Sequence, residues 1–311
     1  LPEAHPGWRG VRDGTVAGPN APHVVKPFPG LDVTPLIGTG WIEGDDYLNA
    51  DIWLPDDGRT GRPIMVFIHG GAFVLGSSTA AVQDGSAFAR DGIVMVSITY
   101  RLGIEGFLPV GGAPANLGLH DQIAALKWVR ANAAALGGDA DNITVFGESA
   151  GAMSVACLVA SPLAQGLFSR AIIQSGHGSM VRPLPVARRL TQKVARMLKV
   201  RPDADGFRRT QIGDTLRVLE AVIQPTVRLD LRDERGREPT YGLSKFLPVF
   251  GDDVLPEPPL DALGKGVGRD IDVLVGSNRE AMNFYLVLTG VRAKLPGWVA
   301  PLIRGRVERN A

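Results

Sequence analysis

Short apolar runs recur along this chain, and segments with helical periodicity separate them. The runs are rich in β-branched residues and do not alternate with polar positions; they are Ile64–Ile68, Ile93–Ile98, Ile143–Phe146, Ala171–Ile173 and Val273–Val275. Nearly continuous runs of this length are typical of strands that are covered on both faces. The pattern therefore predicts a set of buried strands.

Helical spacing lies between and after these runs. Apolar residues spaced by three or four positions follow the second run, at Leu119, Ile123, Leu126, Val129 and Ala133, as expected for one helical face. Further helices are predicted from Ser149 to Pro162, over 186–198 and over 214–223. Strand, helix and strand in alternation predict an α/β fold with a mainly parallel sheet and helices on both faces. We expect a single domain over residues 1–311 with a helical insertion, and a solvated loop at the charged passage 228–239.

Composition narrows the classes of partner. The chain has 311 residues, and 33 basic side chains balance 32 acidic ones, so no charge excess favours nucleic acid or an anionic membrane. No apolar run approaches the roughly 18 residues of a membrane helix. The single cysteine, Cys157, favours a reducing compartment. We expect a cytoplasmic protein with a small-molecule partner and no membrane contact.

The segment around Ser149 predicts a nucleophile. Gly147-x-Ser149-x-Gly151 directly follows a predicted strand and precedes a predicted helix, which is the context of the tight turn called a nucleophile elbow. Glycines flank the serine because larger side chains would clash in so sharp a turn. The five-residue pattern alone is common in a chain with 39 glycines, so the flanking strand and helix carry the prediction.

A second glycine-containing loop follows the strand at 64–68. Its sequence, HGGAF, begins at His69, and such a loop can present consecutive backbone N–H groups at close range. Strand ends of a parallel sheet meet at one edge, so the N–H groups of Gly71, Ala72 and Ala150 could surround one carbonyl oxygen. The alternative is an ordinary turn at the end of a strand.

Longer stretches of the chain resemble the type-B carboxylesterase family, the para-nitrobenzyl-esterase and cholinesterase-like branch of the α/β-hydrolases. They include HPGWRGVRD, YLNADIWLP, IHGGAF, ITYRLGIEGFL, NLGLHDQIAALKWVRANAAALGGDADNITVFGESAGA, FSRAIIQSG, LPVFGDDVLPEPPLDAL and VLVGSNRE. The resemblance implies an α/β-hydrolase fold and two-step hydrolysis of an ester without a cofactor or metal. It implies Ser149 as the nucleophile, with Gly71, Ala72 and Ala150 as the oxyanion hole. Glu148 would lie near the catalytic imidazole.

At the position of the catalytic acid, this chain departs from the pattern of the family. The family carries a glutamate after the late strand, and the aligned position in this chain is Ala281. Glu280 stands one residue earlier, and one residue on a helix turns a side chain by about 100°. Either Glu280 serves through a different local register, or the acid has been lost or replaced.

None of the histidines follows Glu280, although this fold orders its triad as serine, acid and histidine. The five are His5, His23, His69, His120 and His177. His120 is interpreted as a capping or surface residue and His177 as a residue lining the pocket. We interpret the chain as lacking both ends and expect the catalytic histidine beyond Ala311. The alternative is a non-catalytic relative that keeps the fold for binding.

Overall fold

Strands of a six-stranded sheet form the centre of this computed structural model, which describes residues 1–3, 7, 10, 13–25, 31–224, 226–240 and 244–280. The strands are β1 (Ala50–Trp53), β2 (Arg62–Ile68), β3 (Val94–Ile98), β4 (Gly138–Glu148), β5 (Arg170–Gln174) and β8 (Asp272–Gly276). Two shorter strands, β6 (Arg182–Pro183) and β7 (Val249–Phe250), form a separate parallel pair. The order across the central sheet is β1-β3-β2-β4-β5-β8.

Helices connect and surround these strands in the described residues. They are α1 (Thr34–Ile37), α2 (Ser86–Arg90), α3 (Gly103–Phe107), α4 (Leu117–Asn132), α5 (Ala150–Ala160), α6 (Leu184–Leu198), α7 (Ala204–Phe207), α8 (Ile212–Ile223) and α9 (Pro259–Gly264). Short 3-10 turns cover Ala81–Gln83 and Pro162–Ala164. None of the helices in the described ranges is both long enough and apolar enough to span a bilayer.

All five predicted strands are present, and their mainly parallel arrangement is confirmed. The prediction that they are buried is wrong for β8, because every residue of this strand is exposed in the described structure. The contacts of β2 with β3 and β4, and of β5 with β4 and β8, are all parallel. Every residue of β3 is buried, which explains its unbroken apolar run. One strand of the central sheet was missed: β1 pairs antiparallel with the outer side of β3 and is only half-buried, so its sequence ADIW has no long apolar run. The two-residue strands β6 and β7 were not predicted either. The α/β fold predicted from the sequence, with a mainly parallel sheet and surrounding helices, is confirmed.

Aromatic packing fixes helix α2 against the sheet. The rings of Phe67 on β2 and Phe146 on β4 lie 4.9 Å apart, and Phe88 of α2 lies 5.9 Å from Phe146. The positions of β2 that alternate with Phe67 include Val66 and Ile68, which are fully buried. Both faces of the central strands therefore contribute to the core.

The charged passage 228–239 is only partly a solvated loop, which corrects the prediction. Residues 234–237 are exposed as expected, but Leu231 is buried and joins the main core. Glu238 pairs with Arg182 of β6, whose side chain is 1% exposed, at 2.5 Å. Buried groups thus anchor this passage at two points, and the sequence did not indicate either of them.

The register of the sheet brings the predicted functional segments to one level. Ile68 at the end of β2 lies opposite Gly147 of β4, and Gly147 lies opposite Ile173 of β5. Residues that follow these positions leave the sheet at the same edge. The loop from His69 and the turn at Ser149 are therefore neighbours in space.

Candidate active site

Ser149 occupies a strained turn between β4 and α5. Its backbone has φ 55° and ψ −120°, a region that residues with a side chain rarely adopt. The Ser149 N–H donates to the Gln174 carbonyl at 3.0 Å, and the Ser149 carbonyl accepts from the Met153 N–H at 2.9 Å. The neighbouring strand β5 and the following helix α5 together hold the serine at the bend, in the strand-turn-helix geometry of a nucleophile elbow.

Close backbone approach explains the glycines on either side of the serine. A Cβ on Gly151 would collide with the carbonyl oxygen of Ile68, and a Cβ on Gly147 would lie 2.6 Å from the carbonyl carbon of Gly151. The first turn of α5 thus packs directly onto the end of β2. This packing requires glycine and places the serine beside the loop that follows β2.

That loop, residues 69–75, lies against the serine. A Cβ on Gly70 would be 3.3 Å from the Ser149 Cβ and 2.9 Å from the Glu148 carbonyl oxygen. Gly71, Ala72 and Phe73 have consecutive positive φ values of 109°, 55° and 63°. The Gly71 carbonyl accepts the Val74 and Leu75 N–H groups at 3.0 and 3.1 Å, which closes the loop into a tight turn.

Three N–H groups around this junction are not used by the described part of the chain. No acceptor within those residues receives a hydrogen bond from the N–H groups of Gly71, Ala72 or Ala150. Ala150 is the first residue of α5, where N–H groups have no partner within the helix. Backbone N–H groups of this kind can stabilise a developing oxyanion.

Glu148 points into the same junction. Its Oε2 lies 3.1 Å from the position that a Cβ on Gly70 would take. The side chain remains exposed, but the surrounding protein removes enough water to raise the pKa of Glu148 above its ordinary value. The structure therefore brings Glu148, Ser149 and the Gly70 loop together.

Among the residues that the structure describes, no histidine is hydrogen-bonded to Ser149. His69 is 1% exposed, and burial lowers its pKa to about 4. His23 is also buried, and its Nδ1 lies 2.8 Å from the Ala21 carbonyl oxygen. His177 is exposed beyond β5, where its Nδ1 lies 2.6 Å from the Ser179 Oγ. His5 lies outside the described residues.

His120 was interpreted wrongly as a capping or surface residue. It is the fourth residue of α4 and is 9% exposed. Its Nε2 lies 3.7 Å from Asp253 Oδ1, and burial lowers the pKa of the imidazole. The segment 249–255 causes this burial, because it folds back onto the start of α4 through hydrogen bonds of Asn116 to Val249 and Asp252.

The acid candidates lie just beyond β8. Glu280 is exposed, four residues after β8 ends at Gly276. Ala281 lies outside the described residues. Ser175, which the sequence did not single out, lies at the same edge: its φ is 55°, its N–H donates to the Gly276 carbonyl at 2.7 Å, and its Oγ lies 3.4 Å from the Asn278 N–H. A polar residue directly after a predicted strand was the available signal.

Metal ligation was not expected here. Within the ranges that the structure describes, no group of three or more His, Cys, Asp or Glu side chains is arranged to hold a metal ion. The unused donors at the junction are backbone N–H groups, which suit an oxyanion.

Comparisons with known proteins show the family to which the chain is similar. A family model described as "Carboxylesterase family" matches residues 1–295. The chain is 36% identical over 287 residues to phenmedipham hydrolase of Pseudarthrobacter oxydans, covering 90% of this chain and 54% of that protein. It is 36% identical over 290 residues to para-nitrobenzyl esterase of Bacillus subtilis (strain 168), covering 90% and 55%.

A solved structure extends the comparison to the fold. A structure titled PNB esterase superposes with a TM-score of 0.75 at 34% identity, over 89% of this chain and 55% of that one. The chain spans about half the length of the curated relatives that it matches.

Proposed function

Because the chain belongs to the carboxylesterase family, we propose that the protein hydrolyses small or medium carboxylic esters with Ser149 as its nucleophile. One observation carries the proposal: Ser149 sits in a strained turn, φ 55°, directly against the Gly70 loop. Strain of this kind at a loop edge is typical of functional sites. Two relatives are named as a phenmedipham hydrolase and a para-nitrobenzyl esterase, and these names support the same chemistry.

The proposed reaction proceeds in two acyl transfers. The Ser149 oxygen attacks the ester carbonyl while its proton passes to a base, and the carbonyl oxygen becomes an oxyanion. The N–H groups of Gly71, Ala72 and Ala150 stabilise that charge, and one such donor typically contributes roughly 2.7 to 4 kcal/mol. The alcohol leaves with a proton, and water then releases the acid from Ser149.

The base of this proposal comes from outside the described residues. The described histidines are either buried, as His23, His69 and His120 are, or bonded to another side chain, as His177 is to Ser179. A metal or organic cofactor has no step in the proposed reaction. We keep Glu280 and a replacement acid as open alternatives for orienting the base.

The cellular setting is part of the proposal. Cys157 is buried, and burial raises the pKa of its thiol, so it is an unreactive core residue. A chain whose only cysteine is of this kind fits a reducing cytoplasm. We also propose that residues 1–311 belong to a single α/β-hydrolase domain.

Labelling and turnover of the full-length protein test the nucleophile. We expect hydrolysis of para-nitrophenyl esters and covalent labelling of Ser149 by a fluorophosphonate, located by mass spectrometry of peptides. Ser149→Ala should lower kcat by a factor on the order of a million. Ser169→Ala is the matched control, because Ser169 lies at the opposite edge of the sheet, immediately before β5, and should leave both readouts unchanged.

A full-length protein that neither turns over esters nor labels at Ser149 would overturn the proposal. That result would favour the alternative of a non-catalytic binding protein, for which the alanine at position 281 is the motivating observation. Labelling at another serine would reject Ser149 while keeping the activity.

The same turnover assay separates the alternatives for the acid. Ala281→Glu restores the side chain that the family carries, so we expect a rise in kcat if the acid has been lost. Unchanged turnover would show that Glu280 or another residue already serves. Glu280→Gln should then lower kcat, because a misoriented imidazole costs up to about 10⁴-fold.

A further inference from the structure

We infer that His69 is a positioning residue for the oxyanion loop: its Nδ1–H holds the Gly70 carbonyl, and this turns the Gly71 N–H toward the substrate. The inference rests on the proposed function, because ester hydrolysis at Ser149 is what produces an oxyanion for the Gly71 N–H to stabilise. It concerns a residue that does not touch the substrate and acts through the backbone of its neighbours.

The hydrogen bond fixes which nitrogen of His69 carries the proton. His69 Nδ1 lies 2.8 Å from the Gly70 carbonyl oxygen. A carbonyl oxygen can only accept a hydrogen bond, so Nδ1 must carry the hydrogen. The ring is 1% exposed and its pKa is lowered to about 4 by burial. At neutral pH the imidazole is therefore uncharged, with its single proton on Nδ1.

Peptide geometry carries this constraint to the next residue. The Gly70 carbonyl and the Gly71 N–H belong to one planar peptide unit, and in a trans peptide they point in opposite directions. The carbonyl is directed toward Gly76, where a Cβ would lie 2.6 Å from it. The N–H is thus directed away from Gly76. Holding the carbonyl oxygen fixes the direction of the N–H donor without any contact to that donor.

Buried aromatic contacts hold the histidine ring itself. The ring stacks on Tyr100 with centroids 4.4 Å apart and planes inclined by 22°. The Tyr100 hydroxyl donates to the His69 carbonyl at 2.8 Å, and the Tyr100 ring meets Phe107 edge-on at 6.3 Å. Ring and main chain of His69 are both fixed by one buried tyrosine, so the Nδ1–H has little freedom to leave Gly70.

Gly76 provides the space for this hydrogen bond. A Cβ at that position would lie 2.5 Å from His69 Nδ1, as well as 2.6 Å from the Gly70 oxygen. Any side chain there would separate donor and acceptor. The loop therefore closes on a glycine at the point where the imidazole and the carbonyl meet.

Two substitutions separate the hydrogen bond from the packing of the ring. His69→Phe keeps an aromatic ring to stack on Tyr100 but has no donor. His69→Asn loses the ring but carries an amide N–H at the same distance from the main chain as Nδ1. In the full-length protein, we expect kcat to fall by about 10- to 100-fold in His69→Phe, since one oxyanion donor is worth about 10²- to 10³-fold. His69→Asn should stay within about 5-fold of wild type.

Two classes of inhibitor give a readout that a packing role would not change. A trifluoromethyl ketone forms a serine adduct with an oxyanion, so its affinity should fall in parallel with kcat in His69→Phe. The affinity for the corresponding alcohol, which forms no adduct with the serine, should change little in His69→Phe, and so should the KM. Loss of affinity for both inhibitors together with a lower Tm would indicate packing alone and would overturn the inference.

The position of the proton on the His69 ring can be measured without any ester turnover. The ¹⁵N NMR spectrum of histidine-labelled protein should show the His69 proton on Nδ1, without titration between pH 8 and pH 5. A proton on Nε2 would overturn the inference, whether or not the protein hydrolyses esters. If His69→Phe does not fold, a folded His69→Asn that loses kcat 100-fold would also overturn it. Absence of both turnover and Ser149 labelling in the wild type would instead reject the proposed function.

Discussion

At the scale of single residues, backbone strain collects at one edge of the sheet. Six described residues other than glycine have positive φ, and four of them, Ala72, Phe73, Ser149 and Ser175, lie at the carboxyl ends of β2, β4 and β5. Each such residue costs of order 1 to 3 kcal/mol. The remaining structure has to stabilise these conformations, and this concentration distinguishes the edge from other loops.

Glu148 adds an electrostatic cost at the same edge. Desolvation raises its pKa above the ordinary 4.5, so the folded chain holds the proton more tightly than the unfolded chain. The cost is full once the pH exceeds the folded pKa and absent below about 4.5. We predict that Glu148→Gln raises Tm at pH 7.5, by about 2 °C or less, and leaves Tm unchanged at pH 3.5.

Thermal unfolding followed by circular dichroism at the two pH values checks this prediction. Glu234→Gln, in the exposed part of the charged passage, is the matched control for removal of a glutamate charge. An equal gain in Tm at both pH values would contradict the explanation, because a desolvated charge can act only where it is ionised.

At the scale of elements, the buried Arg182–Glu238 pair joins strand β6 to the charged passage. Arg182 also donates to the carbonyls of Lys245 and Ser244. Removing one partner of a buried pair leaves an uncompensated charge, whereas replacing both by apolar groups is often neutral. We predict that Glu238→Gln lowers the free energy of unfolding by about 3 kcal/mol, and that a double replacement by Met and Leu recovers most of it.

Urea unfolding measures both effects. The control is Asp141→Asn, which breaks the exposed ion pair of Asp141 with Arg130 and should cost less than about 1 kcal/mol. If Glu238→Gln costs no more than this control, then the passage is not anchored through Arg182.

The sequence predicted some elements of this structure and missed others for identifiable reasons. The apolar runs at 64–68 and 94–98 identified central strands, because β3 is buried at every position and β2 is buried at alternate positions with partly buried residues between them. Strand β1 was missed, since a half-buried edge strand has no such run. The local pattern around His120 could not show that residues 249–255 cover it, because that contact joins segments more than 100 residues apart.

The candidate site divides in the same way. Glycines at 70, 71, 147 and 151 fall where backbones approach closely, and this requirement is visible in the sequence. The role inferred for His69 was not visible, because it depends on the direction of one ring nitrogen. The acid and the base stay predictions, since Ala281 and any histidine after it lie outside the described residues.

At the scale of the whole molecule, strand β8 forms one edge of the central sheet within the described residues. It pairs with β5 on one side, and within the described residues no strand pairs with its other side. Val273, Leu274 and Val275 are 46%, 65% and 63% exposed. Exposed apolar edge strands tend to pair with other chains.

We therefore predict that the chain of residues 1–311 self-associates through β8. Leu274→Lys should reduce self-association in sedimentation velocity and leave Tm unchanged, because it adds charge at an exposed edge. Leu260→Lys, at a 51% exposed position in α9, should not alter association. A fall in Tm of several degrees for Leu274→Lys would show that this side chain is covered in solution.

Parallel topology also affects the order of events during folding. The junction combines the loop at Gly70 with the turn at Ser149, about 80 residues later in the chain, and the strands that carry them are parallel neighbours. Parallel neighbours cannot form as a local hairpin, and closing such long loops slows folding. A refolding chain thus gains helical signal first and a reactive serine last, so the recovery of Ser149 labelling reports the final step of assembly.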